Sequence, residues 1–303
     1  MNHPPHVMLV GLGAIGVIYA DRLQRTSPET FCVLVDPARK ERYEADGIHL
    51  NDIPCEFTYV TPEDDVPPAD LLLVAVKQHH LADAIEEMRP FVSDGTTILS
   101  LLNGISSEEI LAEAFPEAGI LHGFVVGTDA TRAGNRTTCG TLGRIVFGEK
   151  DQPVPSETVV AVAQLFEQAD IPCVVPDDIR REQWWKFMMN VGVNQVSAIT
   201  GATYGAFGRN AHLRELMAMA CREVLLLAPK EGVELNPAAI DEYFEIIGRL
   251  APDGKTSMLQ DMESGRPTEV ELFSGTVGAL GRRHGIPTPV NDVLYRLIRY
   301  KQA

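Results

Sequence analysis

The sequence predicts two domains of different class: an α/β N-terminal domain with a doubly wound parallel sheet over residues 1–175, and an all-α C-terminal domain over 176–303. Three observations carry this. Short apolar runs alternate with helical patterns in the first half, as the strand–helix units of a parallel sheet do. The alternation stops near Pro172, Pro176 and Asp177-Asp178, and only long helical periods follow. Charge changes at the same place: of a net −16, residues 1–175 hold −15 and residues 176–303 hold −1.

In order, residues 7–10 read as a strand, 14–25 as a helix, 31–35 as the second strand and 40–45 as a helical stretch. Residues 71–76 are almost wholly apolar, the pattern of a strand covered on both faces. Residues 80–88 read as helix, 97–102 as another buried strand and 107–114 as helix. The Gly- and Thr-rich stretch 124–148 reads as late antiparallel strands, followed by a helix over 156–168 and a short strand over 173–175. Beyond the boundary, 179–197, 211–231, 237–248, 269–284 and 291–301 carry helical periods, and no strand is needed.

Composition narrows the function. Hydrophobic residues make up 45% and charged residues 22%, ordinary for a globular enzyme. No run of 18 or so apolar residues predicts a membrane helix. The first apolar run has no basic region before it and leads into a glycine loop, so it reads as a strand and not a signal peptide; a cytoplasmic location is expected. Five scattered cysteines without a CxxC pair suggest reduced thiols. So acidic a chain predicts neither a nucleic-acid partner nor an anionic membrane surface, because phosphate contacts need clustered Lys and Arg. Small anionic ligands remain open, held by glycine loops, helix N-termini or single cations.

Gly11-Leu12-Gly13-Ala14-Ile15-Gly16 follows the first strand and opens the first helix. Its glycines permit a tight turn and close backbone approach to a pyrophosphate resting on the helix N-terminus, so all six residues are candidates for binding a dinucleotide. Asp36 follows the second strand, where a carboxylate accepts hydrogen bonds from the adenine ribose hydroxyls and repels a 2′-phosphate. That favours NADH over NADPH, although Arg39 and Lys40 lie just beyond. Asp36 also suits a helix cap before Pro37, and both roles can hold.

In the C-terminal domain, Lys186, Asn190 and Asn194 recur every four residues among aromatic and aliphatic neighbours. On a helix they lie along one face, drifting about 40° per step. A cation and two amides on an apolar helix are costly to bury without purpose, though a solvated polar face explains the spacing equally well. A second polar group runs from Thr256-Ser257 to Glu269, where Pro267 suits a helix first turn and Glu269 the helix dipole. No metal is expected, since His122 and His284 have no carboxylate or cysteine at ligand spacing. His79-His80 read as a loop or helix start, and Asp64-Asp65 and Glu108-Glu109 as solvated surface.

Taken together, GLGAIG, VAVK ending in Lys77, LNG with Asn103, WWKFMMNVGVN with Lys186, Asn190 and Asn194, and SMLQD through RPTEVE resemble the ketopantoate reductase (2-dehydropantoate 2-reductase) family over essentially the whole chain. The twelve-residue spacing from Ser257 to Glu269 fits as well. The resemblance implies a Rossmann-type first domain, a helical second domain and a substrate between them. It implies hydride transfer from NADH or NADPH to the 2-keto carbon of ketopantoate, giving pantoate for pantothenate and coenzyme A synthesis. It makes Lys186 the general acid and Glu269 its partner carboxylate. Asn190, Asn194 and Ser257 become substrate-binding residues, with Ser257 near the substrate carboxylate, and Lys77 and Asn103 stand at the cofactor–substrate junction. The chemistry agrees: hydride arrival puts negative charge on the carbonyl oxygen, and an ammonium both stabilises it and supplies the proton. An ordinary lysine is protonated at neutral pH, so no large pKa shift is required.

The chain departs from the family pattern at Asp36, where a basic residue is frequent; at residues 195–200, which lack a frequent proline; and at His79-His80, near a frequent glutamine. Two alternatives follow: a reductase of another branched or bulky 2-keto acid, and a dinucleotide-binding sensor without turnover, against which the intact Lys186, Asn190, Ser257 and Glu269 argue. Helical apolar faces in the second domain leave a homodimer open.

Overall fold

The computed structural model describes residues 4–303, which form two compact units divided in the chain between Ile179 and Arg180. The first unit has strands β1 (Val7–Val10), β2 (Phe31–Leu34), β3 (Ile48–Leu50), β4 (Ile53–Cys55), β5 (Tyr59–Val60), β6 (Leu71–Val74), β7 (Thr97–Ser100), β8 (Gly119–Val126), β9 (Thr131–Ala133), β10 (Arg136–Thr138), β11 (Arg144–Gly148) and β12 (Cys173–Val174). Among the described residues they make an eight-stranded sheet in the order β12-β11-β8-β7-β6-β1-β2-β5 and a separate sheet in the order β4-β3-β10-β9. From β8 to β5 the neighbours in the large sheet run parallel, whereas β11 is antiparallel to β8. Strand order reverses on the two sides of β1 and β6, the switch point at which doubly wound sheets bind ligands.

Helices cover both faces of the large sheet. Val7, Leu9, Leu71 and Leu73 face one core layer, packed with Val17, Ile18 and Leu23 of α1 (Ala14–Thr26) and beneath α5 (Glu157–Gln168). Met8, Val10, Leu72 and Val74 face the other, with Leu81, Ala84 and Met88 of α3 (Leu81–Met88) and Leu111 of α4 (Ser107–Ala114). Alternate residues thus point to opposite, equally buried layers, which is why β1 and β6 read as unbroken apolar runs. Each large side chain so buried contributes about 1.5–3 kcal/mol. Helix α2 (Pro37–Asp46) has no buried residue and stands on its cap and Pro37 instead.

Of the four-stranded sheet, β9 and β10 are antiparallel strands within 124–148, as the sequence predicts, whereas β3 and β4 are not predicted. Those two strands are three residues long and half exposed, so they carry no hydrophobic alternation to read. Glu108 also differs from expectation. It is buried at 2% exposure, because Ser107 Oγ (3.0 Å) and the Gly123 amide (3.5 Å) donate to it at the first turn of α4.

The second unit is helical: α6 (Ile179–Thr200), α7 (Tyr204–Arg209), α8 (Ala211–Leu227), α9 (Ala239–Arg249), α10 (Ser257–Glu263), α11 (Thr276–His284) and α12 (Pro289–Lys301). Helix α6 buries Trp184, Phe187, Met188, Met189, Val191, Val193 and Val196, residues that encircle its axis, as a central helix must. A helix expected over 269–284 begins instead with a π turn, Glu271–Gly275, closed by Gly275 N–H to Val270 C=O at 3.0 Å. Pro267 and Glu269 therefore precede the helix, not occupy its first turn. The segment holding Ser257 is α10, and its cap is Thr256, whose Oγ1 accepts from Leu259 N–H at 3.2 Å. No helix among the described residues is long and apolar enough to cross a membrane.

Candidate functional site

The first unit offers a site made mainly of backbone. After β1 the chain turns at Gly11, whose φ of +99° is left-handed, and whose missing Cβ would lie 2.7 Å from the Ala75 carbonyl carbon. Gly16 is tighter: a Cβ there would come within 1.8 Å of the Gly11 carbonyl oxygen, so only glycine lets α1 start against the turn. Gly13 is the N-cap of α1 and brings no capping side chain, so no side chain competes for the N–H groups of its first turn. Uncapped N–H groups at a helix start are the donors that the pyrophosphate of a dinucleotide would need.

Asp36, Lys77 and Asn103 follow the carboxyl ends of β2, β6 and β7, strands flanking β1 on both sides, so the fold brings these residues to the same sheet edge as Gly11, Leu12, Gly13, Ala14, Ile15 and Gly16. Asp36 does cap α2: its Oδ1 accepts from Arg39 N–H at 2.8 Å, and its Oδ2 lies 3.1 Å from Arg39 Nε. Lys77 is exposed and opens a single 3₁₀ turn, Gln78–His80, in which the His79 and His80 rings sit 4.2 Å apart. Burial, then the neighbouring His79 and Arg39, lowers the His80 pKa, so this pair is neutral at pH 7 on the His80 side.

The second unit offers a site made of side chains. On α6, Asn194 Nδ2 donates to Asn190 Oδ1 at 3.3 Å, and Asn194 is 6% exposed. Lys186 lies two turns earlier on the same helix. Its side chain keeps some contact with water, yet the protein packed around it dominates: burial pulls the ammonium pKa down from 10.5 to about 8, and the Glu269 carboxylate partly offsets that shift. The sequence reading assumed an ordinary lysine; burial that position in the sequence does not reveal makes it a weaker base. At pH 7 it remains protonated by roughly ten to one. The structure thus brings Lys186 and Glu269 into electrostatic contact, as it brings Asn190 and Asn194 together. Ser257 is the first residue of α10 and its side chain is exposed.

Two features escaped the sequence reading. His284 pairs with Glu231 at 2.5 Å across 53 residues, a partner no local spacing reveals. Gln195, Glu223, Ser274 and Asn291 are buried polar residues of the second unit, and their signal was present: each interrupts an apolar helical stripe. The cysteines are unpaired, and burial pushes the Cys32 and Cys221 thiols up to about 12, which makes them unreactive.

The family model described as ketopantoate reductase PanE/ApbA matches residues 7–152, and its C-terminal counterpart matches residues 178–302. The chain is 27% identical to a 2-dehydropantoate 2-reductase of Aquifex aeolicus, over 97% of this chain and 96% of that one. It is 29% identical to the crystal structure of a 2-dehydropantoate 2-reductase from Geobacter metallireducens, with a TM-score of 0.83 over 97% of this chain and 99% of that one. D-mandelate dehydrogenase, solved with NADH and anilino(oxo)acetate, shares the fold at a TM-score of 0.86 and 20% identity, over 98% of each chain.

Proposed function

This chain belongs to the ketopantoate reductase PanE/ApbA family, and from that premise we propose that it reduces 2-dehydropantoate to pantoate with a reduced nicotinamide dinucleotide. One observation carries the reading: Lys186 on α6 stands in the field of the Glu269 carboxylate, with burial drawing the lysine pKa to about 8. A group so placed has a reason to be costly. It is charged enough at neutral pH to face a developing alkoxide, and acidic enough to give up its proton there.

The bound nicotinamide supplies the hydride; the rest of the chemistry belongs to side chains. The helix N–H groups after Gly11 and Gly13 hold the pyrophosphate. Asp36 binds the adenine ribose hydroxyls. A carboxylate has about four acceptor positions, and capping α2 and pairing with Arg39 leave acceptors for both hydroxyls. Because Arg39 is already paired with Asp36, its guanidinium is a poor seat for a 2′-phosphate, and NADH is the preferred cofactor. Lys77 and Asn103 orient the nicotinamide and the keto group. Asn190 and Asn194 hydrogen-bond the substrate, and Ser257 binds its carboxylate. As charge builds on the carbonyl oxygen, the Lys186 Nζ–H proton moves to it, and Glu269 holds the lysine in place before and after the transfer.

The test is a steady-state assay of ketopantoate with NADH and with NADPH, alongside a panel of branched and bulky 2-keto acids. Ketopantoate should show the highest kcat/KM, and NADH should exceed NADPH. A higher value for another keto acid would replace the substrate; nicotinamide binding without turnover of any would reject the enzyme.

A further inference from the structure

Four buried polar side chains of the second unit join into one chain. The Glu223 carboxylate on α8 accepts from Val290 N–H at 2.8 Å, from Asn291 N–H at 3.0 Å and from Asn291 Nδ2 at 2.7 Å. These donors lie in the first turn of α12, whose N-cap Thr288 makes no side-chain cap, so Glu223 caps that helix from a neighbouring one. Asn291 Oδ1 accepts from Gln195 Nε2 at 3.2 Å, and Gln195 Oε1 accepts from the Ser274 hydroxyl. The second amide hydrogens are also used: Gln195 gives one to Val191 C=O at 2.7 Å, and Asn291 gives one to Ala220 C=O at 3.2 Å. Gln195 and Asn291 are wholly buried, and Ser274 and Glu223 are 2% and 6% exposed.

A fully satisfied polar chain adds little stability over an apolar core of the same shape. What it adds is a fixed arrangement: the Ser274 hydroxyl lies against both Gln195 Oε1 and, at 3.2 Å, Asn291 Oδ1, so α6, α12 and the π turn meet at one point. The Gln195–Ser274 link joins α6, which carries Lys186, to the π turn that follows Glu269. Gln195 follows Asn194 on α6, about 13 Å along the helix from Lys186. Ser274 sits in the π turn that begins two residues after Glu269, and Phe273 N–H donates to the Glu269 carbonyl at 3.1 Å. π turns inserted at the start of a helix recur where a side chain must be aimed.

We propose that Glu223, Asn291, Gln195 and Ser274 are positioning residues that fix the α6 stripe against the Glu269 segment and thereby set how Lys186 and Glu269 face each other. This rests on the reductase reading for its consequence but not for its geometry. Shifts well under 1 Å in such a pair suffice to slow a proton transfer.

The experiment uses Gln195→Met and Ser274→Ala, each of near-native volume, in the full chain. The Lys186 ammonium is titrated by NMR with labelled lysine, and kcat and the nicotinamide KM are measured beside it. Loss of the tie turns Glu269 away from the lysine and removes the charge that holds its pKa up, so that pKa should fall below about 8. The kcat should fall roughly tenfold with the nicotinamide KM unchanged. A pKa that does not fall in the folded variants overturns the proposal, whatever happens to melting temperature. Should Gln195→Met not fold, Ser274→Ala decides alone. If the wild-type chain reduces no 2-keto acid, the reductase reading falls while the titration still tests the relay.

Discussion

The two units solve opposite problems. In the function proposed, the first binds with backbone: Gly11 and Gly16 leave no room for a side chain, and recognition would come from helix N–H groups at the start of α1. In that function the second would work with side chains: a half-buried ammonium and carboxylate and two amides, where each must be satisfied or shifted. A site of the first kind is fixed by where atoms are missing. One of the second kind is fixed by the electrostatic environment. Substitutions in the two should therefore fail in different ways, and that contrast can be broken.

The largest effect is expected at Lys186. Lys186→Ala should lower kcat roughly 10²–10⁴-fold while the dissociation constant of the nicotinamide stays within about twofold, measured by fluorescence quenching. A variant that keeps its kcat, or loses cofactor affinity as well, would erase the division of labour between the units. Next comes Gly16→Ala, which drives a methyl into the Gly11 carbonyl. It should weaken nicotinamide binding on the order of 100-fold, with the substrate side of the second unit still folded by circular dichroism. Unchanged binding would mean that the turn, as described, does not hold the pyrophosphate. The smallest effect sharpens the contrast, because Asp36 acts by both backbone capping and side-chain recognition. Asp36→Ala should cost about 1 kcal/mol of stability through the lost cap, read by denaturant melting. It should also narrow the NADH preference about tenfold. Lost stability with an unmoved preference would leave Asp36 a cap alone.

Much of this was legible in the sequence, for physical reasons that differ between the units. The parallel strands were readable because β1 and β6 bury every residue, and the glycine loop because its spacing encodes a steric requirement. Lys186, Asn190 and Asn194 could be placed on one helical stripe, but the stripe alone does not separate a site from a solvated face; in the folded unit Asn194 is buried and Lys186 and Asn190 are half-buried. The pKa of Lys186 was invisible, since it depends on atoms from distant segments. Strands β3 and β4 were illegible because three-residue, half-exposed strands have no period, and Glu108 because its donors, Ser107 and Gly123, become a pair only through the fold. The Glu223 relay was missed because its members are scattered over α6, α8, the π turn and α12, with no local motif.

The central claim is that a half-buried ammonium at position 186 delivers the proton. The most direct measurement is kcat/KM for keto acid reduction as a function of pH. The ammonium loses its proton as pH rises, and burial moves that loss from the ordinary lysine range down to about pH 8. The rate should hold up to about pH 8 and then drop about tenfold per unit. A profile that stays level well above that point, in a protein that remains folded, would contradict the account.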